Sequence, residues 1–249
     1  MATVPRRLTF GAHADVYERA RPGWPADAAR WLVPEDAELV VELGAGTGKL
    51  TRAVAALGIR VVAVEPDPRM LAVLRGLGLE GVEGSAEAIP FGDGAAGAVV
   101  AGSSLHWFEL EQALPEIRRV LRPAGRFGFG WNHRDDRQPA IARMGEIVYA
   151  AQARVRGPRW RSRDWPAELT ATGLFRDVER AVFEHVHELP RDALRDHMMS
   201  YSGVAALPEA ERRRVFTEVA ELLDSDESVS GESTLRLPFV VTAYRATGA

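Results

Sequence analysis

Short apolar runs that alternate with amphipathic helical stretches are the feature of this chain that most restricts its fold. The runs are 39–43, 60–64 and 97–101. Nearly continuous apolar runs suit strands that are buried on both faces, as in a parallel sheet, because a half-exposed strand would alternate apolar and polar residues. The clearest helical stretch, 109–122, keeps its apolar residues on one stripe and is followed by Pro123. The pattern predicts a doubly wound α/β sheet, with its next strand at 126–131.

The second half of the chain is more helical and ends in strand-like segments. Apolar residues at helical spacing predict helices at 139–156 and 209–224. Imperfect alternation predicts a strand at 175–186, and an apolar run predicts another at 235–244. Pro238 lies inside the last segment and favours an edge, a bulge or a later start, because proline has no N–H for a strand ladder.

The composition excludes several classes of chemistry. The 249 residues include no cysteine, which rules out disulfides, thiolate metal sites and a cysteine nucleophile. Lys49 is the only lysine, so Schiff-base chemistry is excluded elsewhere. A net charge of −4 gives no support to a broad nucleic-acid-binding face. No stretch approaches about 18 apolar residues, and the amino-terminal segment lacks the apolar core of a secretory signal, so we expect a cytoplasmic protein without a membrane partner.

A glycine-rich segment between a buried strand and a helix is the most informative motif. It reads Val41-Glu42-Leu43-Gly44-Ala45-Gly46-Thr47-Gly48. Glycines there let the backbone turn sharply and approach a ligand, and the helix amides that follow can face an anionic group. A P-loop is excluded because Leu43 stands at its first glycine and Leu50 at its Ser or Thr. The dinucleotide pattern is matched only in part, since Lys49 stands at its third glycine.

Further segments stand in a fixed order around this motif. They are Tyr17 to Pro25, Glu65 in Val-Val-Ala-Val-Glu-Pro-Asp, Ser85-Ala86-Glu87, Ser103-Ser104-Leu105-His106-Trp107-Phe108 and Leu121-Arg122-Pro123-Ala124-Gly125-Arg126. Together with the glycine segment they resemble the class I S-adenosylmethionine-dependent methyltransferases, in the small-molecule branch of trans-aconitate methyltransferase-like proteins. Two positions depart from that family's pattern: Gly97 replaces a usual acidic residue, and Ala124 replaces a glycine.

The resemblance implies a Rossmann-like, doubly wound seven-stranded sheet that is mostly parallel, with an antiparallel last strand and helical cap segments. It also implies one methyltransferase domain over residues 1–249. Within it we expect cap helices at 1–34, a cofactor-binding core at 35–135, helical segments at 136–172 and 190–230, and final strands at 173–189 and 234–245.

The same resemblance implies S-adenosyl-L-methionine as the cofactor. The glycine segment would cradle its methionine end, Glu65 would bind the ribose hydroxyls, and residues 85–87 would meet the adenine. Charge-assisted hydrogen bonding supports the second role independently, because a carboxylate at a strand tip can accept two hydrogen bonds from a diol. The predicted cofactor-binding residues are Tyr17, Arg21, Glu42, Gly44, Ala45, Gly46, Gly48, Glu65, Pro66, Ser85, Ala86, Glu87 and Ser103.

The predicted reaction is methyl transfer to an oxygen or carboxylate group of a small-molecule acceptor. His106 is the candidate general base, because an imidazole with a pKa of about 6.5 can accept a proton at neutral pH. A structural hydrogen bond or a place in the pocket wall are the other interpretations of this histidine. The predicted acceptor-binding residues are Trp24, Trp107, Trp131 and Asn132. The sequence suggests no metal.

Two other functions remain open at this point. A NAD-dependent oxidoreductase would use the glycines and Glu65 equally well, but it leaves Lys49 and segments 85–87 and 106–108 unexplained. A non-catalytic module could bind the cofactor and lack an acceptor pocket. We expect no nucleic-acid partner. A resemblance to amino-methylating DNA methyltransferases would imply an Asn-Pro-Pro-Tyr or Asp-Pro-Pro-Tyr element after the fourth predicted strand, and the sequence has neither. The arginine-rich segment 154–163 is interpreted as a solvated loop.

Overall fold

Seven β-strands form one sheet in the computed structural model, which describes residues 14–152, 163–227 and 229–249. The strands are β1 (Leu39–Leu43), β2 (Arg60–Glu65), β3 (Gly81–Glu83), β4 (Ala96–Gly102), β5 (Leu121–Arg134), β6 (Phe175–Pro190) and β7 (Thr234–Gly248). Their order across the sheet is β3-β2-β1-β4-β5-β7-β6. Neighbours from β3 to β5 pair in parallel, and β5, β7 and β6 are antiparallel. The predicted doubly wound, mostly parallel sheet is confirmed.

Helices alternate with the parallel strands and continue through the second half of the chain. The described helices are α1 (Ala14–Ala20), α2 (Ala26–Leu32), α3 (Lys49–Ala55), α4 (Pro68–Gly76), α5 (Leu110–Val120), α6 (Pro139–Gln152), α7 (Trp165–Ala171), α8 (Leu194–Met199), α9 (Ser202–Ala205) and α10 (Glu209–Ser225). Within the described part of the chain, none of them is both long and apolar enough to cross a bilayer. Helix α3 begins at the only lysine, directly after the glycine segment.

The last three strands are longer than the apolar pattern predicts. Strand β5 starts at Leu121, immediately after α5, and includes Pro123. Strand β6 lies at the sheet edge, where mostly exposed and half-buried residues carry it to Pro190 without an apolar signal. Strand β7 runs through Pro238, whose carbonyl accepts the Asp135 amide hydrogen at 2.9 Å. Apolar runs therefore locate the buried parts of these strands and miss their polar ends.

The chain divides into two compact units. One comprises residues 23–132, 158–183 and 241–249, and the other comprises residues 1–22, 133–157 and 184–240. In the first unit, Val41 belongs to a core cluster with Val99 and Phe127, while its neighbour Val40 belongs to a different cluster with Leu32. Successive residues of a strand point to opposite faces, so both faces of the sheet are buried in this unit, as the continuous apolar runs predict.

The second unit has an apolar core of its own. Its centre is built from α6, α8, α10 and β7, with Met144, Met198, Val219 and Phe239 all nearly inaccessible to solvent. The arginine-rich segment 154–163 falls in or next to residues 153–162, so its predicted loop lies almost entirely outside the described residues.

Local geometry explains the two departures from the family's sequence pattern. A Cβ at Gly97 would lie 3.0 Å from Ala37 Cα, which leaves no room for the acidic side chain usual at this position. Ala124 has φ +55°, a backbone conformation that favours glycine, so this residue keeps the glycine-like turn with a methyl side chain. The backbone path is thus preserved at Ala124, and close packing replaces the acidic residue at Gly97.

Close approach of β5 and β7 predicts that Gly130→Ala destabilises the protein. An added Cβ would lie 2.7 Å from the Thr242 carbonyl oxygen and 3.1 Å from Ala243 Cα, both backbone atoms. We expect the free energy of unfolding to fall by about 1–3 kcal/mol in denaturant titration. Gly92→Ala is the matched control, because this exposed glycine has no atom within 4 Å of its added Cβ. Equal denaturation midpoints for Gly130→Ala and Gly92→Ala would contradict the close approach of β5 and β7.

Candidate functional site

The glycine segment forms a tight loop with one open side. Gly44, Gly46 and Gly48 have φ values of +62°, +60° and +87°, which residues with a side chain rarely adopt. An added Cβ would lie 2.8 Å from Ser104 Cβ at Gly44 and 2.6 Å from Leu79 Cδ1 at Gly48. At Gly46 it would meet nothing within 4 Å. The backbone at Gly46 therefore borders free space that a ligand can approach closely.

A buried carboxylate joins this loop to the end of β2. Glu65 accepts the Gly46 amide hydrogen with Oε2 at 2.7 Å and the Asp67 amide hydrogen with Oε1 at 2.9 Å. Its exposed fraction is only 5%, and burial raises its pKa although both amide hydrogen bonds lower it. Each carboxylate oxygen has a second lone pair, so Glu65 can still accept hydrogen bonds from a ligand.

A second acidic side chain is near enough to Glu65 for the two charges to interact. Glu42 is 1% exposed, and its Oε2 accepts the Thr51 hydroxyl hydrogen at 2.5 Å. Burial raises the pKa of Glu42 to about 8, against the Thr51 hydrogen bond and with a contribution from the Glu65 charge. Glu42 is therefore mostly protonated at neutral pH. A cation bound nearby would favour its ionised form, because an opposite charge lowers the pKa of a carboxyl.

The segment after β4 is fixed against the tip of β1. The Ser104 hydroxyl donates to the Leu43 carbonyl oxygen at 2.7 Å, and Ser104 packs on Gly44. Ser103 has φ +57°, and its amide donates to the Gly130 carbonyl oxygen at 2.7 Å. This left-handed residue lets the chain leave β4 sharply, so the 3-10 turn Leu105–Trp107 follows directly at the carboxyl end of the strand.

Some predicted acceptor-binding residues meet at this end of the sheet. The Asn132 amide donates to Ser103 Oγ at 3.2 Å, and its side-chain Nδ2 donates to the Gly23 carbonyl oxygen at 2.8 Å. Trp24 Cζ2 would lie 3.1 Å from a Cβ on Gly102, the last residue of β4. The structure therefore brings Trp24, Ser103 and Asn132 together around the ends of β4 and β5.

Trp131 and His106 form a hydrogen-bonded pair. The Trp131 Nε1–H donates to His106 Nδ1 at 2.9 Å, and the Trp131 ring is 2% exposed in the core cluster. His106 and Trp107 are partly buried, with ring centroids 5.0 Å apart. Burial lowers the pKa of His106 to about 4, so its ring is neutral at pH 7. Acceptor contacts by Trp107 and Trp131 stay predictions.

The predicted adenine turn follows β3 and contacts the start of α5. Glu87 Oε1 accepts the Glu109 amide hydrogen at 3.0 Å, next to the first residue of the helix. Ala86 is buried in the core, while Ser85 pairs with Ala88 in an isolated bridge and remains partly exposed. Pro66, after β2, is also partly exposed. Cofactor contacts by these residues stay predictions.

Tyr17 and Arg21 lie in the other unit, where Arg21 contacts the rings of Tyr17 and Tyr201. The Arg21 guanidinium carbon is 4.2 Å from the Tyr201 ring centroid and 5.5 Å from that of Tyr17. Arg21 Nη2 also donates to the Ser200 carbonyl oxygen at 3.1 Å. The predicted contact of Tyr17 and Arg21 with the cofactor stays a prediction.

The residues around the glycine loop fit a ligand that packs against the loop backbone and carries hydroxyl groups. The open side of Gly46 can accommodate an extended part of such a ligand, and Glu65 can accept hydrogen bonds from its hydroxyls. Thr47 Oγ1 is buried without a hydrogen-bond partner among the described residues. The acidic pair Glu42 and Glu65 also favours a ligand that carries positive charge.

Sequence reasoning missed three contacts of the site. Thr51 has no predicted role, although it lies nine positions after Glu42 and donates its hydroxyl hydrogen to that carboxyl. Ser104 stood in the matching segment without an assigned role, yet it joins β1 to the turn after β4. The Trp131–His106 hydrogen bond joins distant segments and leaves no local signal in the sequence.

Comparisons with known proteins agree with this geometry. A family model described as a methyltransferase domain matches residues 41–129. An uncharacterized methyltransferase of Mycobacterium tuberculosis is 38% identical over 242 residues, which cover 96% of each chain. The solved structure of a candidate type II methyltransferase from Anaeromyxobacter dehalogenans is similar, with a TM-score of 0.67, 23% identity and coverage of 92% of this chain and 97% of that one. Phosphoethanolamine N-methyltransferase 2 of Haemonchus contortus, solved with S-adenosyl-L-methionine, has a TM-score of 0.54 and 14% identity, covering 97% of this chain and 57% of that one.

The raised pKa of Glu42 predicts a pH dependence of stability that Glu42→Gln removes. The folded state keeps the Glu42 proton to about pH 8, whereas a carboxyl with the ordinary pKa of 4.5 loses it in the unfolded chain. Between these values the folded state binds more protons, so wild-type stability falls as pH rises, by up to about 1.4 kcal/mol per pH unit. Glu42→Gln should therefore gain stability relative to wild type as pH increases.

Denaturant titrations at several pH values between about 5 and 8 measure this difference. Glu111→Gln is the control, because it removes an exposed carboxylate on α5. If the free energies of unfolding of Glu42→Gln and wild type differ by the same amount at every pH in this range, Glu42 is ionised in the folded protein.

Proposed function

This chain belongs to the methyltransferase family, and we propose that it transfers a methyl group from S-adenosyl-L-methionine to an oxygen atom of a small organic acceptor. The observation that carries the proposal is the pairing of Gly46 with Glu65, an open loop backbone held by a buried carboxylate. The resemblance to trans-aconitate methyltransferase-like proteins supports a small-molecule acceptor.

The glycine loop and the ends of the parallel strands would hold the cofactor. We assign the methionine end to the loop Gly44, Ala45, Gly46 and Gly48, and the ribose hydroxyls to Glu65. Ligands of open α/β sheets bind beyond the carboxyl ends of the strands, where all these residues stand. When bound, S-adenosyl-L-methionine supplies a methyl group activated by its sulfonium charge.

The turns after β2, β3 and β4 would complete this site. We assign the adenine to the turn Ser85, Ala86 and Glu87, next to Pro66, and a polar contact to Ser103.

The acidic residues would suit a positively charged ligand. Glu42 and Glu65 are both buried, and burial raises the pKa of each carboxyl. A positive charge in this low-dielectric environment would interact more strongly with them than it would in water. The neutral form of Glu42 limits the cost of keeping two acids side by side before the cation arrives.

The acceptor would bind at the ends of β4 and β5. Asn132 is hydrogen-bonded there to Ser103 Oγ and to the carbonyl oxygen of Gly23, which precedes Trp24, and Trp107 and His106 stand on the adjoining turn. Their task is to align the accepting atom with the methyl group, which in well-oriented reactions supplies about 7–11 kcal/mol of the barrier. No nucleic-acid or membrane partner is part of this proposal.

Binding of S-adenosyl-L-methionine should depend on the charge of Glu65. Glu65→Gln keeps the shape of the side chain but loses charge-assisted hydrogen bonds, so we expect affinity to fall by about 10-fold to 100-fold in calorimetric titration. Glu80→Gln, an exposed acid paired with Arg60, is the control. Unchanged affinity in Glu65→Gln, or binding of NAD in place of S-adenosyl-L-methionine, would contradict the proposal.

Filling the space beside Gly46 should weaken the same binding. Gly46→Ala adds a methyl group to the open side of the loop at a residue with φ +60°. Gly58→Ala is the matched control, because Gly58 has φ +80°, also meets no atom within 4 Å, and lies away from the loop at the end of the turn after α3. Both variants should lose about 1–2 kcal/mol of stability from backbone strain. Only Gly46→Ala should lose affinity for the cofactor. Equal affinities of Gly46→Ala and Gly58→Ala would contradict binding of the cofactor at the glycine loop.

A further inference from the structure

A small cavity in the second unit lies between helices α1, α8 and α10. Its volume is about 250 Å³, slightly below the range of about 300–1,000 Å³ that ligand pockets usually occupy. The described residues that line it fall within 1–22 and 184–240, so they all belong to this unit. None of them is a predicted cofactor-binding or acceptor-binding residue. The cavity is therefore a candidate for a separate binding site, with room for a small ligand.

Three of the lining side chains are apolar, one from each helix. Val16 comes from α1, Met199 from α8 and Phe216 from α10, and each is only partly buried. Phe216 also packs against the apolar core of the unit. Covering these side chains would remove apolar surface from water, which favours a ligand with an apolar body.

The other lining side chains are charged, and both acids among them have arginine partners. Asp196 Oδ2 lies 3.4 Å from Arg19 Nη2. Glu209 forms an ion pair with Arg213, which lies one turn further along α10. The negative charges at the cavity are therefore balanced, and they do not offset the two further arginines that line it.

Arg195 and Arg212 supply the charge that remains unbalanced. Among residues 14–152, 163–227 and 229–249, neither of them forms an ion pair with a carboxylate. Arg212 Nη1 donates to the Ala205 carbonyl oxygen at 3.1 Å. A guanidinium has five N–H donors and keeps its positive charge at neutral pH. Both arginines therefore have donors left for an anion.

This positive charge lies directly beside the apolar side chains. The Arg195 guanidinium carbon is 5.1 Å from the centroid of the Phe216 ring. Arg212 precedes Phe216 by four positions on α10, so the two side chains lie on the same face of the helix. A ligand that covers Phe216 would also come close to both guanidinium groups.

We propose that this cavity binds a small amphipathic anion, a molecule with one oxyanion group and a short alkyl or aromatic body. The oxyanion accepts hydrogen bonds from Arg195 and Arg212, since charge-assisted bonds of this kind are stronger than neutral ones. The body covers Val16, Met199 and Phe216. A purely polar anion would leave these side chains uncovered, and an uncharged molecule would leave the two cations without a counter-charge. This inference goes beyond the proposed methyl transfer and does not rest on it.

Methyl NMR of protein labelled with ¹³C at the methionine methyl groups tests the site directly, with hexanoate as the probe. Met199 lines the cavity, whereas Met70 lies in the other unit and is an internal control. We expect the Met199 signal, assigned by its loss in Met199→Leu, to shift and saturate as hexanoate is added. The Met70 signal should stay unchanged. A Met199 signal that does not respond to hexanoate would overturn the proposal.

Three further probes separate the contributions of the charge and of the apolar body. Acetate has the anionic group without the chain, hexanol has the chain without the charge, and hexylammonium has the opposite charge. Each should bind at least about tenfold more weakly than hexanoate. Equal affinity for acetate or for hexanol would overturn the proposal. Binding to vesicles of anionic phospholipid without a response to hexanoate would do so too, because the ligand would then be a membrane surface.

Substitution of the two arginines tests the assignment of the anion. Arg195→Gln and Arg212→Gln should each weaken hexanoate binding by about 3-fold to 10-fold, as expected for a partly exposed ion pair with hydrogen bonds. Arg214→Gln is the matched control, because Arg214 is exposed on the same helix and does not line the cavity. Its affinity should stay within about twofold of wild type.

The same spectra separate loss of the site from loss of the fold. Met144 lies in the apolar core of this unit, and its signal should be the same in all the arginine variants and in wild type. Unchanged hexanoate affinity in both Arg195→Gln and Arg212→Gln would overturn the proposal. All titrations are made without S-adenosyl-L-methionine, so they decide the ligand of the cavity whether or not the proposed methyl transfer is correct.

Discussion

The carboxylate of Glu65 is the interaction on which the geometry of the site depends. Its two oxygens accept amide hydrogens from Gly46 and Asp67, so one side chain fixes the turn after β1 and the turn after β2. Burying a carboxylate is costly unless its hydrogen-bonding capacity is used. Two backbone donors reduce that cost here and orient the loop amides. The same contact leaves the Gly46 backbone facing open space, so stability and binding geometry come from one group.

The two buried acids of this site, Glu42 and Glu65, are stabilised in different ways. Glu65 keeps amide donors that favour its ionised form, while Glu42 has one hydroxyl donor and a pKa of about 8. Like charges at close range disfavour each other, so the proton on Glu42 lowers the repulsion. The site therefore contains an acid that can change its charge when the charge of its surroundings changes.

The sheet and the glycine loop follow from local signals in the sequence, whereas the environment of His106 does not. Glycines that need positive φ and strands buried on both faces are recognisable along a few residues. Period-two alternation also places Phe127, Phe129 and Trp131 on one face of β5, which predicts a core position for Trp131 as readily as a pocket position. The hydrogen bond to His106 depends on how β5 and the turn after β4 pack, and no local pattern encodes it. The polar ends of β5, β6 and β7 are not predicted either, because an apolar run indicates only the buried part of a strand.

The single lysine of the chain has a practical consequence. Lys49 is the first residue of α3, directly after the glycine loop, and is partly exposed. Because all other basic side chains are arginine or histidine, an amine-selective reagent has one side-chain target, besides the α-amino group. Chemical modification of Lys49 can therefore report on the glycine loop. A ligand that covers the loop would slow the modification, and the free loop would allow it.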